Sequence, residues 1–208
     1  NSYIQNGNLQ IVAKSESYLG NRYTSARIQT KRKFSTAYGR IEARIKIPSG
    51  KGIWPAFWML GEDIDTVNWP ACGEIDIMEH VNNEATVYAT VHMPGPLGDS
   101  SIGYAYSPLQ VTDFSTDFHI FATEWDPGIV RFYVDNTLIQ TVTRGMLSSG
   151  QRWVFDHPFF LVLNVAVGGV WPGYPDATTP FPAVMQVDYV RVYARNVFGT
   201  YLPIANYN

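Results

Sequence analysis

No window of a dozen residues in this chain carries an apolar stripe at the 3.6-residue helical period, and glycine and proline, 17 and 13 of them, interrupt it at short intervals. Few helices are therefore expected. Alternating patterns are abundant instead. Ile41, Ala43, Ile45 and Ile47 interleave with Arg40, Glu42, Arg44 and Lys46, which predicts a half-buried strand with one apolar and one charged face. Leu9, Ile11 and Ala13 alternate with Asn8, Gln10 and Lys14 in the same way. Turn chemistry at Asp126-Pro127-Gly128 and at Asp135-Asn136 separates Phe118 to Trp125, Ile129 to Val134 and Leu138 to Val142, which predicts an antiparallel meander. Val184 to Tyr193 reads as a last long strand. Many short strands with no helices between them indicate an all-β sandwich of two sheets rather than a parallel α/β fold. With no repeat, low-complexity tract or linker, residues 1–208 are expected to form a single domain.

Composition removes several classes of function. The chain is 46% hydrophobic and 14% aromatic, too apolar for a disordered segment. Its longest apolar run, Phe159 to Trp171, is broken by Asn164, Gly168 and Gly169, so no membrane association is expected. Fifteen basic against 18 acidic side chains leave a net charge of -3, which argues against a nucleic-acid partner. The one basic run, Lys31-Arg32-Lys33, reads as a solvated face. A single cysteine, Cys72, excludes an internal disulfide, a redox pair and a thiolate zinc cage; it reads as a small buried hydrophobe. The chain opens on Asn-Ser-Tyr-Ile without a basic-then-apolar leader, so a signal peptide is expected to be absent or removed.

The densest acidic cluster flanked by apolar strand residues is Gly73-Glu74-Ile75-Asp76-Ile77-Met78-Glu79-His80. On a regular strand Glu74 and Asp76 share a face while Glu79 points the other way, into hydrocarbon, where an unpaired carboxylate is costly. A β-bulge at Ile77 and Met78 adds one residue and brings all three acids to one surface. Trp54, Trp58 and Trp69 precede the cluster closely, and aromatic faces beside carboxylates suit the apolar faces of sugar rings. Two carboxyl groups roughly 5 to 5.5 Å apart can cleave a glycosidic bond with retention, one attacking the anomeric carbon and one protonating the leaving oxygen. The two Glu Cα atoms would still lie about 13 Å apart along the strand. Convergence of the side chains therefore requires a concave sheet.

These residues resemble glycoside hydrolase family 16. Gly52 to Leu60, Trp69 to Gly73, the Glu74 to Glu79 hexapeptide, Phe118-His119, Glu124 to Pro127, Asn164 to Gly169 and Asp188 to Tyr193 fit its pattern in order, over about Tyr23 to Tyr193. The resemblance implies a concanavalin-like β-jelly-roll of two curved antiparallel sheets around a concave substrate cleft. It also implies retaining hydrolysis with Glu74 as nucleophile, Asp76 as assisting carboxylate and Glu79 as general acid and base. The Glu-x-Asp-x-x-Glu spacing is similar to the laminarinase branch, so β-1,3-glucan or mixed β-1,3-1,4-glucan is the expected substrate; a transglycosylase, a galactan-cleaving relative or a non-catalytic carbohydrate-binding sandwich is the alternative.

Trp69 matches a donor-side stacking position and Arg27 a substrate-contacting arginine. Of Trp54 and Trp58, one is expected in the cleft and the other in the core. His92 is expected to reach Glu79 or the leaving sugar, Asn164 to face the groove, and Trp171 to border it. No cofactor is expected for catalysis. A structural calcium is implied by the resemblance, with Gly7 and Asp188 as two of its oxygen donors. The family's opening strand has no counterpart before Asn1, which predicts an unpaired sheet edge, and the tail Phe198 to Asn208 is expected to cover it. A secreted monomer acting on a polysaccharide completes the expectation.

Overall fold

The computed structural model describes residues 1–110, 113–195 and 201–207. Its strands in chain order are β1 (Ser2–Gln5), β2 (Asn8–Tyr18), β3 (Asn21–Thr24), β4 (Arg27–Gln29), β5 (Ser35–Thr36), β6 (Gly39–Lys46), β7 (Ile53–Gly61) and β8 (Glu74–Glu79), followed by β9 (Val87–Gly95), β10 (Gly98–Tyr106), β11 (His119–Asp126), β12 (Ile129–Val134), β13 (Thr137–Thr143), β14 (Phe159–Val167), β15 (Ala183–Arg195) and β16 (Tyr201–Tyr207). Helical structure among the described residues is confined to one turn, α1 (Ile64–Val67), and a 3-10 turn at Arg144–Met146.

The strands form two antiparallel sheets. One runs β1-β2-β15-β6-β11-β12-β13, with β16 on β15 and β3 on β2; the other runs β10-β9-β8-β7-β14-β4, with β5 on β14. This is a jelly-roll sandwich. The expected meander is β11-β12-β13, closed at its second turn by Asp135 and Asn136 at φ 48° and 67°, the left-handed pair that a tight hairpin requires. Alternate residues of both sheets meet in one core: Ile41, Ala43 and Ile45 from β6, Phe57 and Met59 from β7, Val87, Ala89 and Val91 from β9, and Val130, Phe132 and Val134 from β12. Trp125 is fully buried there and donates its Nε1 hydrogen to the Phe155 carbonyl at 2.9 Å. Cys72 is buried in a satellite cluster with Leu60, Phe160 and Val162.

Two expectations about charged faces need correction. Glu42, on the polar side of β6, is buried: Arg40 holds it at 2.9 Å and reaches Glu124 at 3.1 Å, while Tyr133 donates to Glu124 at 2.8 Å and Tyr193 to Glu42 at 3.3 Å. Arg40 and Glu42 pair on β6 itself, and Glu124 of β11, Tyr133 of β12 and Tyr193 of β15 close over them, so that face is a covered network. The basic run is likewise only partly solvated, because Lys31 and Arg32 close on Asp65 of α1 at 2.6 and 2.8 Å.

β15 has β6 along one side. Its other side is shared: β2 pairs with Ala183 to Val187, and β16 with Val190 to Arg195. Residues 201–207 of the tail thus extend the edge beyond the end of β2, and residues 198–200 and 208 lie outside the described residues.

Candidate active site

The outer face of the sheet containing β7, β8 and β14 carries a cleft of about 500 Å³, lined by Ser25, Ala26, Arg27, Trp54, Ala56, Trp58, Glu74, Asp76, Glu79, Asn164, Val165 and Ala166. On β7 the outward row reads Trp54, Ala56, Trp58 and the inward row contains Ile53, Phe57 and Met59. Both tryptophans therefore face the cleft, contrary to the expected split between cleft and core, because four residues along a regular strand preserve the facing. The alanine between them leaves depth in the floor.

β8 is irregular where the sequence required it. Phe57 pairs with Met78 and Trp58 with Asp76, skipping Ile77; on the other side Asp76 opposes Thr90 and Glu79 opposes Tyr88, three residues against two. This extra residue is a bulge. Ile77 and Met78 are consecutive yet both enter the core, beside Ile75, while Glu74, Asp76 and Glu79 all line the cleft. Gly73 launches the strand at φ 72°, and a Cβ there would stand 2.9 Å from the Phe159 ring, so the backbone position entering Glu74 belongs to glycine alone. At the other end His80 is fully buried, its Nδ1 3.0 Å from the Thr86 carbonyl and its Nε2 3.2 Å from that of Asn82, which fastens the turn after Glu79.

Register lays the side chains out in rows across the sheet. One row runs Arg27, Asn164, Ala56, Glu79, Tyr88; another runs Leu60, Glu74, His92, Ser101. Trp54 donates its Nε1 hydrogen to Glu79 Oε1 at 3.0 Å. Trp58 donates to Asn164 Oδ1 at 2.8 Å, and Arg27 lies 4.5 Å over the Trp58 ring, so Arg27 and Asn164, which line the cleft themselves, also hold Trp58 in place. Trp69 stands half exposed 5.9 Å from the His92 ring. Trp171 is at the rim, edge-on to Trp54 at 5.3 Å and to Tyr88 at 4.9 Å, where Gly168 and Gly169 turn the chain out of β14 with φ 76° and 144°. His92 does not reach Glu79; its Nε2 is 3.4 Å from Asp76 Oδ2 and its Nδ1 3.1 Å from Asp99 Oδ2, because the cross-strand neighbour of His92 is Glu74, at the far end of the acid row.

Three acids so close in a buried place cannot all ionise at ordinary values. Burial pushes the Glu79 carboxyl up to about 7 against the pull of Trp54, with the Glu74 charge adding to the rise. Burial also raises Glu74, opposed by His92 and by hydrogen bonds from Asp76 and Trp69, and holds Asp76 well above the carboxylate range. His92 goes the other way: burial would lower it, but Asp76, Glu74 and Asp99 outweigh burial and bring it to about 9. At neutral pH the row therefore offers a half-protonated Glu79 and a cationic imidazole whose charge favours the ionised form of Glu74, the division of labour that glycosyl transfer through a covalent intermediate needs.

One oxygen or nitrogen from each of Glu74, Asp76 and His92 lies within 4.8 Å of the others, a spacing at which their charges interact strongly. Register brings Asp188 beside the β1-β2 turn that holds Gly7. The Asp188 carboxylate is taken by Arg44 at 2.9 Å, which neutralises the one charged donor of that pair, and calcium needs six to eight oxygens. Gly7 and Asp188 alone do not make up such a site.

Sequence reasoning missed Asp99, Tyr88 and the small floor residues Ser25, Ala56 and Ala166. The alternation Trp54-x-Ala56-x-Trp58 was a usable signal for the floor. Asp99 could have been placed by recognising Gly95-Pro96-Leu97-Gly98 as the hairpin turn after β9, which sets Asp99 against Pro94.

Comparison with known proteins converges on one family. The family model for glycosyl hydrolases family 16 matches residues 1–191. A β-glucanase of Rhodothermus marinus is 43% identical over 207 residues, covering 93% of this chain and 70% of that protein. A keratan-sulfate endo-1,4-beta-galactosidase of Sphingobacterium multivorum is 43% identical over 179 residues, covering 85% of this chain and 42% of that protein. The laminarinase catalytic domain of Thermotoga maritima superposes with a TM-score of 0.86 at 54% identity, over 92% of this chain and 79% of that one. A sandwich with this topology, a bulged strand with three acids on its cleft face, and a family match over nearly its whole length place the chain in glycoside hydrolase family 16.

Proposed function

We propose that the chain is one catalytic domain, a retaining endo-β-1,3-glucanase that also accepts mixed β-1,3-1,4-glucans. The observation that carries this is the bulge of β8, which sets Glu74, Asp76 and Glu79 on one cleft floor with Glu79 half-protonated at neutral pH. Glu74 attacks the anomeric carbon while Glu79 gives its proton to the departing oxygen. Glu79, now ionised, takes a proton from a water that attacks the same carbon and releases Glu74; two inversions leave the configuration unchanged. Asp76 hydrogen-bonds Glu74 and orients it. Trp54, Trp58 and Trp69 provide faces for sugar rings, and an open cleft admits an internal stretch of polymer. The similarity to a β-glucanase and to a laminarinase supports glucan over galactan as substrate. No described helix is long and apolar enough to cross a membrane, and a polymeric substrate suits a secreted monomer.

Laminarin, lichenan and agarose, offered separately to the purified protein, test the reading. Laminarin and lichenan should be cut internally with the β-configuration retained, and Glu74→Ser should lower kcat by about a thousand-fold or more. Cleavage of agarose alone would overturn the substrate, and binding to laminarin without cleavage would overturn catalysis.

A further inference from the structure

Asp99 stands behind His92 beside the acid row, and the proposed mechanism leaves it without a role. It sits on β10, which folds back on β9 through the two-residue turn Pro96-Leu97, so its carboxylate comes over the ring of His92. Both of its oxygens address one ring nitrogen: Oδ1 is 3.2 Å and Oδ2 3.1 Å from His92 Nδ1. An ionised carboxylate only accepts, so Nδ1 carries a hydrogen. The other nitrogen, Nε2, is thereby aimed at Asp76 Oδ2, 3.4 Å away. That oxygen is buried without a hydrogen-bond partner, on a residue only 3% exposed.

The groups facing the ring are Glu74 and Asp76 from β8, Asp99 and the register neighbour Ser101 from β10, and Trp69 from the loop before β8, with Glu79 farther along the row. Three carboxyl groups, Glu74, Asp76 and Asp99, surround one imidazole. If the ring turned over or lost its proton, Asp76 Oδ2 would be left without a donor facing it, and Glu74 would lose the positive charge that favours its ionised form. We propose that Asp99 is a positioning residue: it fixes His92 with Nδ1 protonated and Nε2 toward Asp76, so that the imidazole's positive charge is held where it favours the carboxylate form of Glu74. This rests on the catalytic roles proposed above.

Asp99→Asn and Asp99→Glu, each made also in a His92→Gln background, separate positioning from mere support. Ring-nitrogen NMR, with His92 assigned by its loss in His92→Gln, should show His92 titrating about one pH unit lower or more in Asp99→Asn and near its original position in Asp99→Glu. On laminarin, kcat/KM at pH 8 should fall about three- to ten-fold in Asp99→Asn, with a smaller loss at pH 6, and recover in Asp99→Glu. In the His92→Gln background Asp99→Asn should change it less than about two-fold. A His92 titration unmoved by Asp99→Asn, or an equal loss with and without His92, would overturn the proposal, as would a lowered melting temperature with no change at the ring. Were the wild type to cleave no glucan, the catalytic reading would fail on its own, and the ring titration would still decide whether Asp99 places His92.

Discussion

Burying Glu79 where it can serve as a proton donor costs stability, and the cost has a calculable pH dependence. Its carboxyl moves from an ordinary value of 4.5 to about 7 on folding. The folded value lies above the unfolded one, so the native state binds the proton more tightly. Stability from this group is full below about pH 4.5, declines as pH rises, and levels off above about 7. At 1.36 kcal/mol per pH unit the interval of about 2.5 units amounts to about 3 kcal/mol lost at pH 8. Glu79→Gln keeps the shape and the oxygen that accepts the Trp54 hydrogen at 3.0 Å, and removes the ionisation. The variant should match the wild type in denaturant unfolding near pH 4 and be more stable by about 3 kcal/mol at pH 8, or by roughly 6 to 12 °C in Tm for a chain of this size. Its turnover should collapse, since the leaving oxygen loses its acid. A stability gap equal at the two pH values, or a variant no more stable than wild type at pH 8, would refute the account of Glu79 as a carboxyl raised by burial.

Replacing Trp54 by Phe removes the donor to Glu79, which pulls its carboxyl down, so the alkaline limb of kcat/KM should move up by about one pH unit; an unchanged or lowered limb would mean that this hydrogen bond does not set the acid. Truncation after Arg195 strips β16 from Val190 to Arg195 and should lower stability by about 2 kcal/mol, roughly 4 to 8 °C in Tm, whereas an unchanged melting curve would show that the tail does not support the sheet edge.

What the sequence made legible was parity. Strand residues declare their side of a sheet by alternation, so Ile41, Ala43 and Ile45 announce a core face. Three acids out of step, at Glu74, Asp76 and Glu79, announce that something must absorb one residue. The bulge at Ile77 and Met78 follows from the expense of burying a carboxylate, with no knowledge of neighbouring strands. The same logic settles Trp54 and Trp58 together, and splitting them between cleft and core ignored it.

What stayed illegible depends on which strand lies beside which. Glu42 looks solvated until β11 brings Glu124 and β15 brings Tyr193 into one network with it and Arg40 of its own strand. His92 looks free to reach Glu79 until the register of β8 against β9 sets it opposite Glu74, and β10 returns Asp99 to its other side. Alternation along one strand fixes which residues face the cleft; only pairing across strands fixes which of them are neighbours there. The identities of the acids on the row were therefore open to reasoning from the chain alone, while the assignment of charge among them required the order of the strands, because each carboxyl is tuned by a neighbour distant in sequence: Glu79 by Trp54, and Asp76 by a histidine that a third strand holds in place.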